Sequence, residues 1–261
     1  MPCRPSRSWK PCSRNITSFW LAAWRGSGKG DAQVGVISLV RSALFYVVFY
    51  LGSVFLVLSA LVAFALGHEA LRRVCDGWSN YHRLCTRVLL GIRVRIEGQI
   101  PSGRVLVAMR HESFFEAIDL PTVLYRPGVF AKIELMRIPV WGRLGSAYGL
   151  VGVERESGAK ALRAMVAAAR RLQGEGRILA IFPEGTRVPH GKAAPIQSGF
   201  SGLYKLLGCP VVPVAVDSGP LYHRWIKRSG TVTYRIGETI PPGLPRGEVE
   251  ERVAAAIQAL N

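Results

Sequence analysis

From Ser42 to Gly67 the chain holds no charged residue and is dense in Leu, Val, Phe and Tyr. Roughly 20 apolar residues suffice to cross a bilayer as a helix, so this run is long enough to do so. It is too long for the apolar core of a signal peptide, and no small-x-small cleavage site follows it. Arg41 precedes the run, and Arg72, Arg73, Arg83 and Arg87 follow it. Positive charge on both flanks leaves orientation open, so a helix that dips into one membrane face and returns is the alternative to a full span. From His68 to Leu90 apolar positions (Leu71, Val74, Cys75, Trp78, Tyr81, Leu84, Cys85 and Val88) recur among Arg and His. That pattern predicts an amphipathic helix whose basic face meets anionic headgroups, with His68 and His82 on the polar side.

The charge balance points the same way. Of 261 residues, 34 are Lys or Arg and 17 are Asp or Glu, a formal net charge of +17, while 49% are hydrophobic. Basic charge favours anionic partners, and with this hydrophobicity a lipid surface outranks nucleic acid. The aromatics lie in apolar runs and form no stacking platform among base-reading side chains, so no nucleic-acid partner is expected. Cys3, Cys12, Cys75, Cys85 and Cys209 are odd in number and scattered, which fits neither a disulfide framework nor a zinc site. Residues 1–34 carry Arg4, Arg7, Lys10, Arg14, Arg25 and Lys29 against one acid, Asp31, without periodicity, and read as a basic, disordered tail. Gly26–Gly30 lacks the earlier glycine and the following Ser/Thr of a phosphate loop. The expected organisation is therefore a tail over 1–34, membrane-associated helices over 35–91 and a folded domain over 92–261.

Beyond Arg93, short apolar runs alternate with helical stretches. Strands are predicted at Val94–Ile96, Val105–Met109, Val129–Ala131, Leu150–Val153, Ile178–Phe182, Val211–Val216 and Val232–Ile236. Helices are predicted over Gly158–Gln173, with Leu162, Met165, Val166, Ala169 and Leu172 as its apolar stripe, and over Gly199–Leu207 and Glu248–Leu260. This alternation predicts an α/β fold: a mixed, largely parallel sheet of about seven strands covered by helices, preceded by an N-terminal membrane-associated helical hairpin.

The predicted strand at Val105–Met109 runs into Arg110-His111-Glu112-Ser113-Phe114-Phe115-Glu116-Ala117-Ile118-Asp119. A histidine where a buried strand gives way to a helix stands at the crevice where α/β folds place their chemistry. A carboxylate on one ring nitrogen would leave the other free as a base, and Glu112, Glu116 and Asp119 are all close enough in sequence to serve. A surface histidine among incidental acids is the bland alternative. Lys132, Arg155 and the turn Phe182-Pro183-Glu184-Gly185-Thr186-Arg187 also fall just past predicted strands, with Glu184 and Arg187 expected side by side. Arginine forks and a lysine point charge around one crevice suit a phosphate. No His-Glu-x-x-His occurs and the histidines are dispersed, so no metal is expected. No Gly-x-Ser-x-Gly nucleophile elbow occurs either.

Four segments in order, His111-x4-Glu116, Gly149 to Arg155, Phe182 to Arg187 and Val211-Val212-Pro213-Val214-Ala215, resemble the blocks of the glycerolipid acyltransferases. The likeness is strongest to members that acylate the sn-2 hydroxyl of 1-acyl-sn-glycerol 3-phosphate, and it runs from about Ser42 to the end. The segment Lys132-Ile133-Glu134-Leu135 resembles the family's lysine-bearing block. Three positions depart from the pattern: Glu116 stands where an aspartate is usual, Gly152 where an aromatic is common, and Gln197-Ser198 before Gly199 where Lys-Pro is expected. The resemblance implies direct acyl transfer, with His111 as general base, oriented by Glu116. Lys132, Arg155 and Arg187 would hold the acceptor's phosphate, with Glu184, Gly185 and Thr186 forming the turn around it. The partners it implies are a lysophospholipid acceptor, acyl-CoA or acyl carrier protein as donor, and membrane lipids, with no cofactor. The setting it implies is the inner cell membrane, with the catalytic domain facing the cytoplasm. A lyso-ornithine lipid as acceptor, and a basic membrane-binding protein without activity, are the alternatives.

Overall fold

The structure is a computed structural model that describes residues 35–154 and 158–261. The tail over 1–34 and Arg155 lie outside the described residues. Helix α1 (Val36–Leu66) ends at Gly67, and α2 (His68–Cys85) doubles back along it, followed by a π-helical turn over Thr86–Leu90. The hairpin closes tightly because Gly52 has no side chain: a Cβ there would lie 2.3 Å from the Tyr81 hydroxyl, which donates instead to Val48 O at 2.7 Å. Phe49 stacks on Trp78 and Tyr81, and Trp78 Nε1 donates to Ser53 Oγ at 3.0 Å.

The α/β region contains β1 (Ile92–Glu97), β2 (Leu106–Met109), α3 (Phe114–Leu124), β3 (Gly128–Lys132), α4 (Ile133–Met136), α5 (Trp141–Tyr148), β4 (Leu150–Val153), α6 (Gly158–Gly174), β5 (Leu179–Ile181), α7 (Ser198–Leu207), β6 (Val211–Val216), β7 (Gly230–Ile236) and α8 (Arg246–Ile257). The seven strands form one sheet in the order β1-β7-β6-β2-β5-β3-β4. The run from β6 to β4 is parallel, and β7 with β1 runs antiparallel to it. The sheet is thus mixed and largely parallel, as the alternation predicted. The two short helices α4 and α5 had no periodicity long enough to announce them.

Both faces of β2 are buried, because successive side chains point to opposite sides of a strand. Val107 and Met109 join Phe115, Leu120 and Tyr234 on the face covered by α3 and the hairpin. Leu106 and Ala108 join Met165, Phe200 and Val253 on the face covered by α6, α7 and α8. This double burial holds the strand that delivers His111 rigid from both sides.

The hairpin is fastened to the α/β domain by charge. Arg83 makes a forked pair with Asp119 at 2.8 and 2.6 Å, and Arg126 pairs with Asp76 at 2.9 Å and Glu69 at 2.8 Å. His82, expected on the polar face of its helix, is fully buried instead, with Nε2 2.9 Å from the Tyr222 hydroxyl. Burial pushes its pKa down to about 3, so it is a neutral core residue. His82 lies on the side of α2 that packs against Phe115 and Tyr222, whereas Arg73 on the same helix stays exposed.

Candidate active site

The site is built at the carboxyl ends of three adjacent strands, β5, β2 and β6, with β2 in the middle. Arg110 N still donates to Val214 O at 2.9 Å, so the ladder holds until one residue before His111. The chain then turns into α3 with Ser113 as its N-cap. Ser113 Oγ accepts from Phe115 N at 3.0 Å, and Glu116 reaches back to accept from Ser113 N at 2.7 Å, completing a capping box.

That local motif decides the histidine's partner. With Glu116 folded back over the helix start, its Oε1 accepts from His111 Nδ1 at 2.9 Å and from Glu112 N at 2.6 Å. Its Oε2 accepts from Ser113 Oγ at 3.1 Å and from Ser218 Oγ, just past β6, at 2.5 Å. Burial pushes the Glu116 carboxyl up, but the bonds from His111, Ser218 and Ser113 outweigh it and hold the group below its usual range. Glu116 is therefore an acceptor only, so His111 carries its hydrogen on Nδ1 and keeps the Nε2 lone pair for a proton. The imidazole stacks on Phe182, with centroids 4.2 Å apart and planes at 23°, and is largely covered. Of the other two candidate carboxylates, Asp119 is taken by Arg83 and by the Tyr234 hydroxyl at 2.9 Å, and Glu112 by His190 Nδ1 at 3.0 Å and Gly219 N at 2.8 Å.

Phe182 O accepts from Gly185 N at 2.9 Å, closing a four-residue turn with Pro183 at its second position and φ +67 at Gly185. The turn points Glu184 inward. Its partner is Arg110, not Arg187: Glu184 Oε1 pairs with Arg110 Nη1, and Oε2 accepts from His111 N at 3.3 Å. Arg110 is fully buried, lies 3.6 Å from Glu112 and donates to Lys192 O at 2.5 Å. Two carboxylates thus share one guanidinium beneath His111. Burial pushes the Glu184 carboxyl up to about 6, against the pull of Arg110 and with the push of Glu112, and burial raises Glu112 as well.

Thr186 and Arg187 are exposed beyond the turn, and the Arg187 guanidinium lies 4.2 Å over the Phe114 ring, at the first residue of α3. Lys132 is exposed at the carboxyl end of β3, two strands from β2 and on the same sheet end as His111. At the usual spacing the intervening distance across the sheet is roughly 10 Å, within reach of one substrate. At position 152, where the family pattern has an aromatic, a Cβ would lie 2.8 Å from Ile133 Cδ1 and 3.2 Å from Met136 Cγ, so a larger side chain there needs those two to shift.

Arg110, Ser113, His190 and Ser218 were not singled out from the sequence, and Glu112 was weighed only as a partner for His111. Ser218 and His190 are more than 70 residues from the groups they meet, and no local pattern marks them. Arg110 stands next to His111 in sequence, but nothing local marks it as the buried partner of Glu184, 74 residues away. Among the described residues no group of three His, Cys, Asp or Glu side chains is arranged to hold a metal ion.

Residues 91–217 match the family model Acyltransferase. The chain is 28% identical over 210 residues to a 1-acyl-sn-glycerol-3-phosphate acyltransferase of Pseudomonas aeruginosa, covering 78% of this chain and 82% of that one. It is 26% identical over 158 residues to a lyso-ornithine lipid O-acyltransferase of Brucella abortus, covering 57% of this chain and 58% of the relative. The fold is that of the crystal structure of the 1-acyl-sn-glycerophosphate acyltransferase from Thermotoga maritima, with TM-score 0.65 and 22% identity over 85% of this chain and 97% of that one. The resemblance read from the four blocks is thus met by the family model over residues 91–217, and the fold by the Thermotoga maritima structure.

Proposed function

We propose that the acyltransferase domain of this chain moves a fatty acyl group from an acyl thioester to the sn-2 hydroxyl of 1-acyl-sn-glycerol 3-phosphate, giving phosphatidic acid. The observation that carries this reading is the His111–Glu116 pair, 2.9 Å apart, with Nε2 left as the proton acceptor. His111 Nε2 takes the proton of the acceptor hydroxyl as its oxygen attacks the thioester carbonyl. The imidazolium that forms is stabilised by the Glu116 carboxylate. The tetrahedral intermediate collapses, the C–S bond breaks, and the thiolate leaves with the proton returned from His111. No covalent acyl-enzyme is needed. The donor is acyl-CoA or acyl carrier protein, and no cofactor takes part.

Lys132, Arg155 and Arg187 are assigned to the acceptor's phosphate. Among the described residues Arg187 rests against an aromatic face, which leaves its fork of donors for an anion. The membrane reading rests on α1, the one helix among the described residues that is long and apolar enough to cross a bilayer, with Ile37, Leu51, Phe55, Val62 and Leu66 all exposed. Because α2 lies along it carrying Glu69, Arg72, Arg73, Asp76 and Arg83, α1 is assigned to the interface rather than to a full span, in the inner membrane with the domain on the cytoplasmic side.

The test is transfer of a labelled acyl thioester by the purified protein to a panel of lysolipids. The phosphate monoester acceptor is expected to be used best, and preference for lyso-ornithine lipid would replace this reading with the second one. Arg187→Lys is expected to lower kcat/KM for the phosphate-bearing acceptor by roughly tenfold, because lysine cannot reproduce a forked contact. A rise confined to the donor KM would move Arg187 to the donor's phosphates instead.

Glu116→Gln is expected to keep the fold, since an amide oxygen can accept the same backbone N–H groups. It removes the charge opposite the imidazolium, so kcat should fall by at least about 100-fold. Near-normal turnover at unchanged melting temperature would show that the carboxylate only caps α3.

A further inference from the structure

A polar cavity lies at the opposite end of the sheet from His111. It measures about 590 Å³, within the range of ligand sites, and opens beside Phe64 at the end of α1. Gly149 and Arg177, on its wall, stand just before β4 and β5. His111 stands just after β2, which runs parallel to both, so the strand length separates the two sites.

The lining is strongly basic: His68, Arg72, Arg143, Arg171 and Arg177 face one carboxylate, Glu175. Arg177 is buried, with 7% of its surface exposed. Its Nε donates to Arg126 O and its Nη2 to Pro127 O, both at 2.8 Å, which fixes the guanidinium plane. Its Nη1 is buried and has no hydrogen-bond acceptor among the described residues, Glu175 being 3.9 Å away, and buried Arg72 Nε has none either. The guanidinium is seated against Gly149, where φ is +129 and a Cβ would lie 2.3 Å from Nη1. A buried donor left without an acceptor costs free energy, and two such donors from different elements converge here on one basic cavity.

We propose that this cavity is a phosphate-binding site distinct from the reaction centre, with Arg177 Nη1 and Arg72 Nε as fixed inner donors and Arg143 and Arg171 as exposed outer clamps. A phosphodiester headgroup reaches it from the membrane surface along Phe64, and a soluble phosphate reaches it from the opposite side. Glu175, paired with Arg72 Nη2 at 3.0 Å, is the internal competitor that an incoming phosphate displaces.

The full-length protein in neutral detergent is titrated calorimetrically with dihexanoyl phosphatidylglycerol and, separately, with inorganic phosphate. Saturable binding of the lipid alone identifies the source as a headgroup. Equal binding of both identifies a soluble phosphate. Either affinity should fall roughly tenfold in the Arg143→Gln, Arg171→Gln double variant, whose substitutions are exposed and leave acyl transfer intact. Glu175→Gln should raise affinity several-fold, and Lys132→Gln with Arg187→Gln should leave this binding unchanged. Arg177→Gln is the less clean probe, since that side chain also holds the turn before β3. The proposal is overturned if neither probe saturates the wild type, if the Arg143, Arg171 double variant binds as the wild type does, or if binding disappears with Lys132 and Arg187 instead.

Discussion

His111→Ala is expected to lower acyl transfer by roughly 10²–10⁴-fold while leaving the fold and membrane partition unchanged. The size follows from the role. The acceptor hydroxyl is a poor nucleophile until its proton is taken, and among the described residues the Nδ1 bond to Glu116 leaves His111 Nε2 as the basic nitrogen. The survival of the fold follows from where the support lies. The backbone at His111 is held by its own N–H to Glu184 and by Val188 N donating to its carbonyl at 2.8 Å, and neither bond involves the imidazole. The ring does cover Phe182, so a small loss of stability, about 1 kcal/mol, is expected from the lost stacking. The measurement is kcat with saturating donor and acceptor, alongside circular dichroism and vesicle sedimentation of the same preparation. Turnover within a few-fold of wild type in a folded, membrane-bound variant would remove His111 from the chemistry.

Arg110→Met should act on stability first. Its guanidinium is fully buried between Glu184 and Glu112, and removing one partner of a buried ionic cluster leaves uncompensated charge in the interior, a cost of about 3–5 kcal/mol. The loss should depend on pH. Burial already raises both carboxyls above their usual range, Glu184 to about 6, so the folded state binds protons more tightly there than the unfolded chain does. In the wild type, stability from Glu184 therefore falls as pH rises from about 4.5 through about 6. Without Arg110 both carboxyls should rise further, so the deficit is largest at neutral pH and shrinks in acid as they protonate. Denaturant midpoints in detergent at several pH values between 4.5 and 8 read this directly. A pH-independent deficit would mean that Arg110 matters for its bonds to Lys192 O and Pro189 O rather than for the two carboxylates.

The turn around Glu184 shows how far local pattern reaches. Pro183 and Gly185 mark a tight turn after a buried strand, and it is there. Which way Glu184 points depends on Arg110, 74 residues earlier in the chain, and a spacing rule that considers only neighbours pairs it with Arg187 instead. The same limit explains His82. A helical stripe counts histidine as polar, but the side of α2 that carries it is covered by Tyr222, contributed from after β6.

What the sequence determined alone is what short-range physics controls. Branched apolar runs bounded by turn residues became the seven strands, because a strand buried on both faces needs little beyond its own composition. The charge-free run became α1, the Leu162–Leu172 stripe became α6, and His111 stood at a strand end because the run before it ended there. What only the tertiary structure decided is pairing. Glu112, Glu116 and Asp119 lie within eight residues of His111 and carry the same chemistry, so sequence left all three open. The choice fell to Glu116 because Ser113 caps α3 and turns that carboxylate back, while Gly219 and His190 occupy Glu112, and Arg83 and Tyr234 occupy Asp119. Each competing partner comes from a distant part of the chain, and a buried carboxylate goes to whichever donors the packed fold brings to it.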